Sequence, residues 1–500
     1  MLTLKLRACI LGLLCTLLAH NIVAAIGFPN ITAELGPRLS SGARIILPNN
    51  TDFKRATYRW SAFAKPRPTI VVEVATEQDV AETVKYANEQ EIPFLAQSGS
   101  HGAMITLANL HFGIEIWLHK LDWTIISEDG DTATIGGGIL AGNLIEALWK
   151  KGKYAVTGSC ECTSYLGPLL GIGHSILQGK YGYAGDQVVS LHLVTADGEL
   201  LDVTASDPDP DLFWALRGAG HNFGIVTSIT AKIYDVPDQG LWAHEDYTFG
   251  RANIEDVFAT WNRLLPNQPP TVVLIGFMLR NASVDAVNPV IQLSVLQENV
   301  SRVDPVYTDA FRNINPISVP SGSGTYKDVA RWIRFDFSNP TYCTAKNVSA
   351  LHFPVGLPSW NTTTQRMVYD AFTNLTAGNS PFRASEFMLE GFPLQGVKAI
   401  PTSSTAYPHR EDNVIGYPLI FYRANTSLDH TAIEAGEAIR RMLIEGSGKA
   451  ELHSYVNYAL GDEPPESIYG YEYWRLSKLK ELKKKYDPER RFSHYAPIPI

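Results

Sequence analysis

The sequence predicts an α+β protein of two domains, the second built on an antiparallel sheet covered by helices. Three observations carry this. The chain has 500 residues, enough for two sizeable cores. Strand signals in the first half are short and close-set, and no strand–GxGxxG–helix unit opens the chain as a doubly wound dinucleotide-binding sheet would require. From about residue 236 the pattern changes to longer alternating stretches such as TVVLIGFML and VIQLSVLQ, joined by Pro/Ser/Gly-rich segments such as NPISVPSGSG. The expected organisation is a leader over 1–25, a first domain over 26–235, a second over 236–450 and a closing segment over 451–500.

The N-terminus reads MLTLKLRACILGLLCTLLAHNIVAAIGFPN: Lys5 and Arg7 precede an apolar run, and the small residues Ala24 and Ala25 follow it. That is the pattern of a secretory signal peptide; the rival, a membrane anchor, needs a longer apolar run. Eight N-x-S/T acceptors, beginning at Asn30, Asn49, Asn281, Asn299, Asn347, Asn361, Asn374 and Asn425, agree with export and with N-glycans on the surface. A net charge of −9 without a basic run argues against nucleic acid or an anionic membrane as a partner.

Within the first domain, PTIVVEVATEQDVAETVKYANEQEIP reads as a strand, a cap at Thr76, and a helix whose apolar positions include Val80, Val84 and Ala87. Pro93 introduces the strand FLA. A second block runs through IEIWL and TATIGGG to a helix near LAGNLIEALWKKG. VSLHLVTADGELLDV is a strand–turn–strand with Asp197-Gly198 at its turn. In DLFWALRGAGHNFGIVT, Trp214 and Leu216 read as core and Arg217–Gly220 as a ligand loop.

Two stretches carry chemistry. FLAQSGSHG breaks from a strand into Ser98, Gly99, Ser100, His101 and Gly102. Small residues there admit a close ligand, and successive N–H groups form an anion-binding concavity. VTGSCECTSYLGPLLGIGHSILQGKYGYAGDQV spreads glycines 158, 167, 171, 173, 179 and 182 over a surface longer than a single phosphate needs. Removal of the leader takes Cys9 and Cys15, leaving Cys160, Cys162 and Cys343, an odd number for an oxidising compartment. The C-x-C spacing suits a mutual disulfide poorly.

Taken in order, these motifs resemble the vanillyl-alcohol oxidase superfamily and, within it, the berberine bridge enzyme-like oxidases, including secreted or secondary-metabolite FAD oxidases of filamentous fungi. The resemblance spans the mature chain. It implies an FAD-binding PCMH-type first domain and FAD as cofactor. The SGSHG loop then matches the family's phosphate loop, with His101 at the position of covalent flavin attachment. Where the family commonly reads R-S-G-G-H, this chain has Gln97-Ser98-Gly99-Ser100-His101, without the arginine. A second link, from cysteine to flavin, falls on Cys160, although Glu161 replaces the usual proline and Cys162 is a rival. If Cys160 is unlinked, it is a buried free thiol or is paired with Cys162 or Cys343.

The resemblance extends cofactor contacts to Gly171, Gly173, His174, Gly179, Tyr181, Gly182, Asp186, Gly224, Ile225, Val226 and Asn457. It places the catalytic base in Tyr455-Val456-Asn457-Tyr458, with Tyr458 ahead of Tyr455, or on the second domain's sheet at Glu386 or Glu390. The implied function is a secreted oxidase passing hydride from an alcohol, sugar or secondary-metabolite intermediate to covalent flavin, with O₂ as acceptor and H₂O₂ as product. The alternatives are a biosynthetic oxidase or cyclase and a secreted flavoprotein whose chemistry has lapsed.

Overall fold

The computed structural model describes residues 30–500 apart from 208 and 345, so the leader expected over 1–25 lies outside the described residues. Among the described residues, no helix is long and apolar enough to cross a membrane.

The first part of the chain makes two sheets. One runs in the order Arg44–Ile46, Ile70–Glu73, Ile114–Trp117, Phe94–Gln97, the last three strands mutually parallel. Helix Glu77–Glu89 makes the crossover that parallel strands require. Thr76 and Asp79 form a reciprocal capping box at its start, while Val80, Val84 and Ala87 are fully buried. The other sheet is antiparallel, ordered Thr124–Ile126, Thr132–Gly136, Ile225–Lys232, Val188–Val194, Leu200–Thr204. Helix Ala141–Trp149 follows Thr132–Gly136.

After residue 235 the chain builds one eight-stranded antiparallel sheet between Leu241 and Arg423. Its strand Glu386–Gly391 is buried throughout, because both faces are covered. Phe387 and Leu389 point into a core with Trp261, Trp360, Val368 and Phe372, beneath helices Ile254–Leu264 and Thr362–Leu375. Glu386, Met388 and Glu390, two residues apart, take the opposite face. That face turns toward the first part of the molecule.

The closing segment returns to the first part. Lys483, fully buried on helix Tyr473–Tyr486, bonds Asp487 at 2.6 Å and the carbonyls of Asn222 and Phe492 at 2.9 and 2.7 Å. Asn222 in turn holds Ala496 and Ile498. The tail from Arg491 to Tyr495 is thereby fixed against the strand that begins at Ile225.

Candidate functional site

A cavity of about 310 Å³ opens between the two parts. One end is made by Ser98–Gly102, Gly137, Gly224–Val226 and the tail residues Arg491, Phe492, His494 and Tyr495. The other is walled by Phe335, Tyr342, His352, Met388, Glu390, Phe392, Tyr417 and Leu419, with Tyr455 and Tyr458 from the closing segment. Strand register explains this wall. Met388 pairs with Tyr417, and Leu419 pairs with both Glu386 and His352, so one sheet face presents them together.

The glycine loop leaves strand Phe94–Gln97 and turns at Ser100, whose φ of 62° lies in the left-handed region. Among the described residues, the backbone N–H groups of Gly99, Ser100, His101 and Gly102 find no protein acceptor. Ser98 Oγ is buried and unpartnered. The loop leaves no room for larger residues behind it: a Cβ on Gly99 would stand 2.4 Å from Ser164 N. The imidazole of His101 stacks on Trp60, with centroids 5.3 Å apart and planes at 12°, and Trp60 stacks on His352 on its other side at 5.5 Å. Burial pulls His101 down to about 4, so the ring is neutral near pH 7.

The sulfurs resolve the odd cysteine. Cys162 and Cys343 are joined by a disulfide, with Cα atoms 5.6 Å apart, and among the described residues the free thiol is Cys160. Cys160 lines the cavity, 3.6 Å from Cys162 Sγ, and burial pushes its thiol up to about 12. Cys162 Sγ also lies 3.5 Å from His101 Nε2. The Cys162–Cys343 bridge ties the segment after the glycine loop to the one carrying Tyr342, across 181 residues.

At the far end, the Tyr458 hydroxyl donates to Glu390 Oε1 at 3.1 Å, while Glu390 Oε2 is buried and unpartnered. Burial raises Glu390 to about 8 and Tyr458 well above the usual tyrosine range. Tyr455 stands differently. Its oxygen accepts from His174 N at 3.1 Å and Asn457 Nδ2 at 2.6 Å, so it is bound into the wall. Glu386 is likewise engaged, by Arg334 at 2.8 Å and by the Tyr342 hydroxyl at 2.5 Å, and does not line the cavity.

Of the residues expected from sequence, Ser98–Gly102, Cys160, His174, Gly224–Val226, Tyr455, Asn457 and Tyr458 meet around this cavity. Six do not line it. Gly171 makes room for Asn457, since a Cβ there would sit 2.3 Å from Asn457 Oδ1, and Gly173 packs on Ala184. Gly179 packs against Pro393 and the Pro270 carbonyl. Tyr181 stacks on Tyr234 at 3.7 Å. Gly182, at φ 85°, packs beside Asp186, whose carboxylate makes a buried ion pair with Arg410 at 2.6 Å. The expected ligand loop at Arg217–Gly220 is corrected. Arg217 bonds the Ser404 and Phe213 carbonyls, and Gly218 lies against Tyr407 N, because this turn joins the two parts of the chain instead of facing the cavity. Sequence reasoning missed Arg59, Trp60, His352 and Tyr417, which sit in ordinary-looking segments; of the two carboxylates it named on the strand Glu386–Gly391, Glu390 lines the cavity.

The cavity thus combines an anion-binding loop with open N–H donors and, at its other end, a hydroxyl–carboxylate pair. The FAD binding domain family matches residues 68–204, and the berberine and berberine-like family matches 454–499. An FAD-linked oxidoreductase of Penicillium rubens is 42% identical over 93% of both chains, and one of Gibberella zeae is 40% identical over 93% of this chain and 94% of its own. In structure the chain resembles Physcomitrella patens BBE-like 1, at TM-score 0.80 and 20% identity over 94% of this chain and 99% of that one. A carbohydrate oxidase from Microdochium nivale aligns at TM-score 0.78 and 20% identity over the same shares. The chain belongs to the FAD-linked oxidoreductases of the berberine bridge enzyme-like family. The open N–H groups and Ser98 Oγ fit FAD, whose pyrophosphate offers acceptors for each.

Proposed function

We propose that this enzyme is a secreted oxidase of an uncharged, largely aromatic alcohol, carrying FAD on His101 and using O₂ to give the carbonyl product and H₂O₂. The observation that carries the reading is the buried Tyr458–Glu390 pair at the end of the cavity away from the anion loop. When bound, FAD supplies the two-electron acceptor for the substrate's hydride. Tyr458 holds the substrate hydroxyl and takes its proton as hydride leaves, and Glu390 receives that proton through the Tyr458 hydroxyl. Tyr455 acts through His174 and Asn457 as a positioning residue. A neutral imidazole at His101 has the free ring nitrogen that a covalent bond to flavin needs, and Cys160 is the thiol available for a second link.

The wall supports an aromatic substrate. Phe335, Met388, Phe392 and Leu419 offer apolar area to a ring, and the polar groups among them, Tyr342, His352, Glu390, Tyr417 and Tyr458, are themselves mostly aromatic. Solved proteins of this fold include both a carbohydrate oxidase and an oxidoreductase complexed with pregilvocarcin. Export is supported by the leader pattern and by the acceptor asparagines, all of them exposed except the half-buried Asn281.

The test is H₂O₂ release from purified protein offered aromatic alcohols and oligosaccharides in parallel. Turnover of aromatic alcohols alone is expected. Turnover of oligosaccharides alone would overturn the substrate class, and flavin released whole by acid denaturation would overturn the tether.

A further inference from the structure

Arg59 borders the cavity and is used by nothing described so far. The next residue, Trp60, donates its N–H to the Ser100 carbonyl at 3.1 Å, which pins this segment to the glycine loop. The Arg59 side chain is only 7% exposed, and its Nε and Nη2 are buried without a hydrogen-bond partner. Among the described residues its one counter-charge is Glu115, on the central strand Ile114–Trp117, with Nη2 3.4 Å from Oε1 but not aligned as a hydrogen bond. Both Glu115 oxygens are also unpartnered. Burial draws the pair toward neutrality, Glu115 rising to about 7 and Arg59 falling.

A well-made guanidinium–carboxylate pair uses two parallel N–H···O bonds. This one uses none, so the guanidinium keeps its donors for something else. Beside it stand the four open N–H groups of Gly99–Gly102 and the unpartnered Ser98 Oγ. All of these donate, and together they suit a doubly charged oxyanion. FAD carries its negative charge in the pyrophosphate alone. Gln97, the residue before the loop, is not available: its amide donates to the Ala56 carbonyl at 2.9 Å.

Given that the chain binds FAD, we infer that Arg59 is the cationic ligand of the FAD pyrophosphate, delivered from the segment before the first parallel strand and not from the loop itself. Glu115 holds the guanidinium in place until the cofactor arrives.

The test uses full-length protein carrying His101→Ala and Cys160→Ala, so that flavin exchanges freely, titrated with FAD and with riboflavin, which lacks phosphate. Glu115→Gln is included throughout, so that removing Arg59 strands no buried carboxylate. Arg59→Ala should weaken FAD by about 10- to 100-fold, the worth of hydrogen bonds to a charged group, and leave riboflavin unchanged. It should also cut the FAD-induced rise in Tm. Arg59→Lys should recover part of the affinity, and Gln97→Arg should rescue Arg59→Ala. Equal loss of both flavins, or unchanged FAD affinity, would show Arg59–Glu115 to be a structural pair and overturn the inference. Uptake of neither flavin by the parent would overturn the FAD reading along with it.

Discussion

The two ends of the cavity are built on opposite plans. At the glycine loop, five consecutive residues supply the donors, and the chemistry is mostly backbone. At the aromatic wall, Tyr342, His352, Met388, Glu390, Tyr417 and Tyr458 come from five separate stretches of chain, and every contribution is a side chain, those of His352, Met388, Glu390 and Tyr417 held by sheet register. A backbone site depends on a local turn and tolerates side-chain change wherever space allows. A side-chain site depends on long-range packing, so single substitutions there change chemistry without changing fold.

The sharpest way to break this contrast is Tyr458→Phe. The ring and its contacts stay, and flavin content should be unchanged. Substrate reduction of the flavin should slow by about 10²–10⁴-fold, measured by stopped-flow absorbance. If Tyr458→Phe loses flavin instead, the far wall is part of the cofactor site and the contrast fails.

Glu390 sharpens it through pH. Its carboxyl titrates near 8, and it must be ionised to receive a proton, so the rate of flavin reduction should climb as pH rises toward 8. Glu390→Gln should flatten that limb. The stability sign is opposite. A carboxyl raised on folding stabilises fully below its ordinary value, and that contribution is lost as pH rises through about 8. Wild-type cofactor-free protein should therefore lose Tm between pH 5 and 9 more steeply than Glu390→Gln does.

The bridge between the ends is the Cys162–Cys343 disulfide. Cys343→Ser should lower stability by about 2–5 kcal/mol in denaturant unfolding, since the closed loop is long. Because the bridge also steadies the Tyr342 segment, substrate KM should rise more than flavin content falls. The smallest expected effect is at the periphery. Thr76→Ala removes one half of a capping box far from either end and should cost about 1 kcal/mol, with kinetics unchanged.

How much of this was legible in the sequence follows from the same division. The helix capped at Thr76, the strand opened by Pro93 and the glycine loop around His101 are local patterns, and each was readable as it stands, whereas Tyr455–Tyr458 stood out only through the family resemblance. The second glycine segment was only half readable. Glycine reports that something comes close, not what. At Gly171, Gly179 and Gly182 the close neighbours are Asn457, Pro393, and the Asp186 carboxylate with Ile400, so the same signal marks packing against chain far along the sequence. Arg217–Gly220 misled for that reason too.

Sequence by itself determined the α+β pattern and the loop that suits an anion, because caps, turns and alternation act over a few residues; the tyrosines of the closing segment came only through the family resemblance. Only the tertiary structure decided which cysteine stays free, that Glu390 rather than Glu386 meets Tyr458, and that an arginine from before the first parallel strand stands beside the glycine loop. Those outcomes rest on strand register and on the meeting of distant chain segments, Cys162 and Cys343 being 181 residues apart and the cavity lining running from Arg59 to Tyr495. No local propensity encodes that encounter.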